Sequence, residues 1–317
     1  MNNAIISGTG SYLPRSQLPN TELEKMLDTS DEWIVSRTGI SSRYIADADE
    51  TTSFMAGEAA KDALKSSGVN ASDIDLILVA TCTPDHFFPS MACHVQQALK
   101  LTRPIPAFDI SAACSGFVYA MDIAKQYISA GTAKHVLVVG SERMSKAVDW
   151  TDRATCVLFG DGAGAVVLSA SDKPGILGSV LHAAYDADKL LTFTNESSED
   201  KRAYIGMRGN EVFKLAVNIM GDIVDEVLTA SNLQKSDIDW LVPHQANIRI
   251  IQGIAKKLSL PMSQVIVTVE HQGNTSAASI PLALDFSVRQ KRIKRGDVLL
   301  LESFGGGMTW GAMVVRY

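Results

Sequence analysis

The sequence is short of the features that mark several large protein classes. Only 4 of its 317 residues are cysteine, and no two are spaced as C-x-x-C, so neither a disulfide framework nor a zinc knuckle is written into it. The nearest approach to a metal pair, Cys93-His94, occupies consecutive positions, which on a helix point in different directions and cannot share one ion. Basic charge is scarce as well. Against 35 Asp and Glu there are 29 Lys and Arg, giving a net charge of −6, which excludes the broad positive surface needed for nucleic acid or an anionic membrane. No apolar run approaches the ~18 residues of a membrane span. The opening Met1-Asn2-Asn3-Ala4-Ile5-Ile6-Ser7 lacks the charged start and long apolar stretch of a secretory signal. No Pro-, Gly- or Ser-rich linker and no low-complexity tract divides the chain. With 46% hydrophobic residues it can bury a sizeable core, and the expectation is a cytoplasmic α/β chain of enzyme size.

What is present is a pattern written twice. Ser72-Asp73-Ile74-Asp75 leads into the apolar run Leu76–Ala80, and Ser236-Asp237-Ile238-Asp239 leads into Trp240-Leu241-Val242, an offset of 236 − 72 = 164 residues. Each copy follows a helical pattern, one ending near Leu64 and the other near Leu228. Two further pairings come in the same order: His135–Ser141 with Asp297–Ser303, and Gly164–Leu168 with Gly311–Val315. Three ordered matches predict two similar halves, 1–172 and 173–317, each mixing strands with helices. The nearly continuous apolar strands predict sheets covered on both faces.

Two glycine clusters suggest a nucleotide site without meeting its requirements. In Gly160-Asp161-Gly162-Ala163-Gly164 the glycines run into the strand-like Ala165-Val166-Val167-Leu168, whereas a dinucleotide fingerprint leaves a strand and opens a helix. The run reads as a tight turn between two strands. Gly305-Gly306-Gly307 lies between two strand patterns, where bare backbone can come close to a neighbour or offer an N–H to a developing oxyanion.

Cys114 stands apart from the other cysteines. It sits among small residues, Ser111-Ala112-Ala113-Cys114-Ser115-Gly116, after an extended apolar stretch and before an amphipathic helix from about Ser115 to Ala130, ended by Gly131. A thiol at a helix N-terminus feels the positive end of the dipole, which predicts a lowered pKa and a thiolate nucleophile. The alternative is a buried packing cysteine, which is the reading for Cys82, Cys93 and Cys156. Partners are available in the second half. His244 follows Pro243 at the end of a strand, and Asn274 lies in the polar turn His271-Gln272-Gly273-Asn274-Thr275-Ser276. His271 competes with His244, and an Asn in a turn is commonly a turn former. Periodicity does not choose among them.

Four separated stretches, Ala112-Ala113-Cys114-Ser115-Gly116, Pro243-His244-Gln245-Ala246-Asn247, Gly273-Asn274-Thr275-Ser276 and Gly305-Gly306-Gly307-Met308-Thr309-Trp310-Gly311, together resemble β-ketoacyl-acyl-carrier-protein synthase III. The resemblance extends over essentially the whole chain, including Thr29–Ile34 and Arg37-Thr38-Gly39-Ile40. It implies a thiolase-like α/β fold, two pseudo-symmetric halves in five αβαβα layers, assembled as a homodimer. It also implies an acyltransferase that condenses a short acyl-CoA, expected to be acetyl-CoA, with malonyl-acyl carrier protein, releasing CoA and CO₂ and starting fatty-acid synthesis.

The resemblance further assigns roles. Cys114 would carry the acyl group, with His244 and Asn274 completing the set. The N–H groups of Cys114 and Gly306 would form the oxyanion hole, and the His244 Nε2–H and Asn274 amide would meet the malonyl thioester oxygen. Trp33, Arg37 and Arg153 would hold the CoA nucleotide, and Asn247 the pantetheine arm. Lys214, Arg249, Lys256 and Lys257 would dock the acidic carrier protein, solvated lysines being the alternative. Phe88 would line the acyl pocket across the dimer and favour an acetyl-sized primer. No metal and no cofactor is implied beyond the CoA thioester as substrate. Asn274 in Gly-Asn-Thr-Ser separates the chain from elongating synthases, thiolases and 3-hydroxy-3-methylglutaryl-CoA synthases. Ser115 departs from the Ala of the most expected motif without touching the chemistry. The rival readings are a related synthase with a longer or aromatic primer and a non-catalytic carrier-binding protein on the same fold.

Overall fold

The computed structural model describes residues 2–194 and 204–317. Two sheets organise them. The first is built from β1 (Asn3–Tyr12), β2 (Leu76–Ala80), β3 (Ala107–Ile110), β4 (His135–Arg143) and β5 (Asp161–Ser171), in the order β1-β5-β4-β2-β3. The second uses β6 (Ile176–Ala183), β7 (Trp240–Pro243), β8 (Val298–Gly305) and β9 (Thr309–Arg316), in the order β6-β9-β8-β7. The pairing senses also correspond. In each sheet the first three strands run antiparallel to their neighbours and the next pairing is parallel. Beyond the shared pattern, the first sheet adds β3 at its edge, parallel to β2.

Among the described residues α1 (Asp31–Thr38) packs beside α6, and six helices cover the sheets: α2 (Thr52–Ser67), α3 (Met91–Ala98), α4 (Gly116–Ser129), α5 (Gly209–Ala230), α6 (Ile248–Leu258) and α7 (Ser279–Arg289). The two-residue period of a strand divides the apolar residues between layers. Ile77 and Val79 pack with Met55 and Ala59 of α2 and Val95 of α3. Their neighbours Leu76 and Leu78 face the other way, against Phe117 and Met121 of α4. In the second sheet Leu299 and Leu301 meet that same inner layer, while Leu300 packs against Val224 of α5 and Ile254 of α6. The result is five layers: α2 and α3, the first sheet, α4 and α7, the second sheet, α5 and α6. Both repeated Ser-Asp-Ile-Asp segments fold alike, as 3₁₀ turns at Ala71–Asp73 and Lys235–Asp237 that lead into β2 and β7.

The Gly160–Gly164 run is not the tight turn suggested by its sequence. Asp161 to Gly164 already belong to β5, where a Cβ on Gly164 would stand 2.6 Å from the Leu282 amide of α7. These glycines let the inner helix layer approach the sheet. That approach also carries the segment before α7, including Asn274, toward the first half.

Candidate active site

Cys114 is presented by a sharp elbow. β3 ends at Ile110, Ala113 takes a left-handed conformation (φ 47°), and a 3₁₀ turn over Ala113–Ser115 feeds α4. A left-handed alanine is sterically costly and persists where its surroundings hold it. Here they do so from the second half. Ser303 Oγ donates to the Cys114 carbonyl at 2.8 Å, Thr309 Oγ1 donates to the Ala112 carbonyl at 2.8 Å, and Ser115 Oγ donates to the Thr309 carbonyl at 2.9 Å. Gly305 lies closest of all, since a Cβ there would stand 2.7 Å from the Cys114 nitrogen. Of the triple glycine, Gly306 lines the cleft, and Gly305 is the bare backbone that comes close to a neighbour and seats the elbow.

His244 and Asn274 reach the same cleft, of about 1510 Å³, from separate elements. The His244 N–H donates to the Glu302 carbonyl at 2.8 Å, fastening the residue after β7 to β8. Asn274 is held at its backbone by an N–H to the Leu158 carbonyl at 2.8 Å and by the Gly160 N–H, which donates to the Asn274 carbonyl at 3.0 Å. Its side chain is set by the Ser276 N–H, which donates to Asn274 Oδ1 at 2.9 Å. Behind the turn, buried Arg43 donates to the carbonyls of Leu18 and Val157 and to Asn20 Oδ1. His271, the rival histidine, is exposed and meets Ser41 instead.

Burial dominates the electrostatics. It pushes the His244 pKa down to about 4, so the ring is neutral near pH 7, and its Nδ1 has no hydrogen-bond partner among the described residues. The Cys114 thiol moves opposite to the direction predicted from the helix dipole. Burial pushes it up to about 11, opposed by hydrogen bonding with Ser276 and reinforced by the nearby Glu142 charge. The dipole is outweighed because the thiol is enclosed and a thiolate there would lose its hydration.

Family models fit two stretches of the chain: 3-oxoacyl-[acyl-carrier-protein] synthase III over residues 108–184, and the C-terminal part of the same synthase over residues 228–317. The chain is 56% identical over 316 residues to a β-ketoacyl-[acyl-carrier-protein] synthase III of Methylococcus capsulatus, covering 98% of both chains. It is also 56% identical over 319 residues to that of Thiobacillus denitrificans, covering all of both. The chain belongs to the β-ketoacyl-[acyl-carrier-protein] synthase III family. The crystal structure of the synthase III from Aquifex aeolicus superposes with a TM-score of 0.95 at 49% identity, over 99% of this chain and 100% of that one. The thiolase-like fold of the family is therefore the fold of this synthase III chain.

The outer residues of the synthase III cleft are placed less uniformly. Trp33 on α1, Arg37 and Arg153 line it, and the Arg153 guanidinium carbon stacks 5.1 Å from the Trp33 ring centroid. Asn247 also lines it but is already engaged: Oδ1 accepts from the Arg249 N–H as the cap of α6, and Nδ2 donates to the Arg37 carbonyl. Arg249 lies over the Phe213 ring, 5.7 Å from its centroid. Lys214 and Lys256 are carried by α5 and α6, with Lys256 exposed, whereas Lys257 is tied to Asp222 at 2.7 Å and to the Asn218 carbonyl at 3.0 Å. Phe88 is 86% exposed and does not line the cleft of its own chain, which its neighbour Phe87 does.

Of the cysteines read as packing residues, one is not, and Cys82 packs against the core of the second half while also facing the site. Cys93 is exposed, and Cys82 lines the cleft, while Cys156 is buried as expected. Cys82, Glu142 and Ser276 were not legible as site residues. The available signal was weak: Cys82 follows β2 as Cys114 follows β3, and Glu142 places a charge late in the apolar strand β4. Among the described residues no cluster has the makings of a metal site, and no helix is long and apolar enough to cross a membrane.

Proposed function

We propose that this chain catalyses the decarboxylative Claisen condensation of a short acyl-CoA, acetyl-CoA in the first instance, with malonyl-acyl carrier protein. The products are 3-oxoacyl-acyl carrier protein, CoA and CO₂, and the reaction initiates fatty-acid synthesis. The observation that carries the reading is the convergence of Cys114, His244 and Asn274 on one cleft, with the Asn274 oxygen already taken by the Ser276 N–H. That bond leaves the Asn274 NH₂ as the group available to a substrate oxygen.

Cys114 attacks the acyl thioester, and the N–H groups of Cys114 and Gly306 receive the oxyanion, a role supported by the close seating of Gly305 on the Cys114 nitrogen. CoA leaves. The malonyl thioester then places its carbonyl oxygen against His244 and Asn274, both neutral donors. Charge that develops there as CO₂ departs is stabilised without either group ionising. The carbanion attacks acyl-Cys114 and expels its sulfur. The chemistry calls for no metal or other cofactor beyond the CoA thioester.

Trp33, Arg37 and Arg153 hold the CoA nucleotide at the mouth of the cleft, with Asn247 along the pantetheine arm. The face formed by Lys214, Arg249, Lys256 and Lys257 receives the acidic carrier protein, with Lys257 contributing less because it is paired with Asp222. The boundary between the halves falls at 172/173, between β5 and β6, so that the first half carries the nucleophile and the second the His and Asn. The working form is a cytoplasmic homodimer joined along β3. In its support, β3 is a sheet edge, and the loop carrying exposed Phe87 and Phe88 is fastened to that edge by the Met91 N–H on Asp109 Oδ2 at 2.7 Å. Phe88 then reaches the partner's acyl pocket. The test is direct: acetyl-CoA and malonyl-acyl carrier protein should yield acetoacetyl-acyl carrier protein, with an acetyl adduct on Cys114 in the intact mass. The reading fails if Cys114→Ala retains the adduct or the product.

A further inference from the structure

Among the described residues Arg43 is the bulkiest side chain to be fully buried, and the reaction outlined above gives it no task. Its hydrogen-bond partners are neutral. Nη1 donates to the Leu18 carbonyl at 3.1 Å, and Nη2 donates to the Val157 carbonyl at 2.9 Å and to Asn20 Oδ1 at 2.8 Å. A cation buried among neutral acceptors costs desolvation that an apolar side chain of similar length avoids. What the guanidinium supplies in return is a rigid fork, which fixes acceptors from separate segments relative to one another.

The geometry fixed in this way is that of the Asn274 turn. Next to Val157 is Leu158, whose carbonyl accepts the Asn274 N–H at 2.8 Å, and the Gly160 N–H donates to the Asn274 carbonyl at 3.0 Å. The Arg43 stem is wedged between this segment and the turn itself. A Cβ on Gly160 would stand 3.0 Å from the Arg43 Cβ, and a Cβ on Gly273 would stand 3.1 Å from it. Gly273 has a φ of 66°, so the residue leading into Asn274 has both a close neighbour and a conformation that favour glycine. Ser41, two residues before Arg43, fastens the start of the same turn: its N–H and its Oγ both donate to the Glu270 carbonyl at 2.8 Å. The fork also has a fixed base, since Asn20 Nδ2 donates to the Ile40 carbonyl at 2.7 Å and to Asp31 Oδ1 at 2.8 Å. The Cys114 elbow is held by other groups, Ser303, Thr309 and Gly305, and His244 is fastened to Glu302.

We propose that Arg43 is a positioning residue for the decarboxylation half of the reaction: by tying Val157 to Asn20 and filling the space behind Gly160 and Gly273, it holds the Asn274 amide at the malonyl thioester oxygen. It does so without touching substrate. The proposal rests on the reading of Asn274 as the donor to that oxygen. A donor that stabilises a developing charge acts only while it stays in place, and a displacement of about 1 Å is enough to cost on the order of 10² in rate. The Asn274 side chain makes one bond that orients it, the Ser276 N–H on Oδ1, so the placement of its NH₂ depends on the backbone of the turn. Arg43 sets that backbone from the first half of the chain. The two half-reactions therefore depend on Arg43 unequally: acylation of Cys114 is indifferent to it, and malonyl decarboxylation is not.

The test separates the half-reactions. Enzyme is first acetylated with saturating acetyl-CoA and the Cys114 adduct counted by intact mass; malonyl-acyl carrier protein is then added and CO₂ release is followed per acetylated site. Arg43→Met, which keeps the length of the stem and removes the fork, should acetylate at the wild-type rate and release CO₂ on the order of 10²-fold more slowly. Arg43→Lys, which keeps the charge and folds if the methionine variant does not, should lose about tenfold in the same step, because one ammonium cannot span the acceptors of the fork. Adding Asn274→Ala to either variant should slow CO₂ release no further than Asn274→Ala alone. Equal slowing of both half-reactions overturns the proposal. So does a lower Tm with CO₂ release per acetylated site unchanged, which is the result of a purely structural role. If Asn274→Ala itself releases CO₂ at the wild-type rate, the reading of Asn274 falls and the proposal with it. If Asn274→Ala is slow while both Arg43 variants match wild type, the proposal alone falls.

Discussion

The Ser276 N–H donates to Asn274 Oδ1 at 2.9 Å and thereby decides which end of the Asn274 amide faces the cleft. An amide is a donor at one end and an acceptor at the other. With the oxygen occupied, the NH₂ is the end left for a substrate oxygen, which in the proposed reaction is the enolate.

Asn274→Ala should therefore lose malonyl decarboxylation by about 10²–10³ while Cys114 still accepts an acetyl group. Asn274→Asp should be worse, because a carboxylate oxygen would then face the developing negative charge. Release of CO₂ and the Cys114 adduct, followed separately, check the split. Equal loss of both half-reactions would contradict it.

Burial lowers the His244 pKa to about 4 from an ordinary 6.5. Between these values the unfolded chain binds a proton that the folded chain does not, so this contribution to stability is complete above pH 6.5 and is lost as pH falls toward 4. Its size is on the order of 3 kcal/mol. His244→Gln should flatten the decline of Tm over that interval, and the wild-type condensation rate should show no inflection near pH 6.5. A Tm profile unchanged by the substitution would count against a neutral buried His244.

Gly305→Ala should displace the Cys114 elbow, because the added carbon would stand 2.7 Å from the Cys114 nitrogen. Misplacement on that scale lowers acylation by about 10². Gly306→Ala meets nothing nearer than the Leu191 carbonyl at 3.2 Å and should act more mildly. Single-turnover acylation of the two variants should rank them in that order.

Arg249→Glu should raise KM for malonyl-acyl carrier protein several-fold, more so at low salt, where an acidic partner is attracted most strongly. Lys257→Ala should change it little, since the ammonium is already committed to Asp222. Initial rates across a salt series provide the comparison. An equal effect of the two substitutions would remove the distinction drawn between them.

Much of this architecture could be read from residues alone. The repeated Ser-Asp-Ile-Asp turn and the paired apolar runs encode local structure, and local structure repeats wherever the pattern does. The elbow at Cys114 was legible for the same reason, since small residues between a strand and a helix allow a sharp turn. Gly160–Gly164 misled because glycine permits both a turn and close packing, and only Leu282 of α7, more than a hundred residues away, chooses between them.

Neighbours along the chain suffice for the strand periodicity of each half, the elbow at Cys114 and the family pattern of Cys114, His244 and Asn274. Other features exist only once the halves are packed together: Asn274 presenting its NH₂, Cys82 and Ser276 meeting on Glu142, and Lys257 already paired. Packing also reversed the direction of the Cys114 pKa. Helix polarity is a property of local sequence, whereas desolvation is set by everything that surrounds the thiol from both halves, and here desolvation outweighs the dipole.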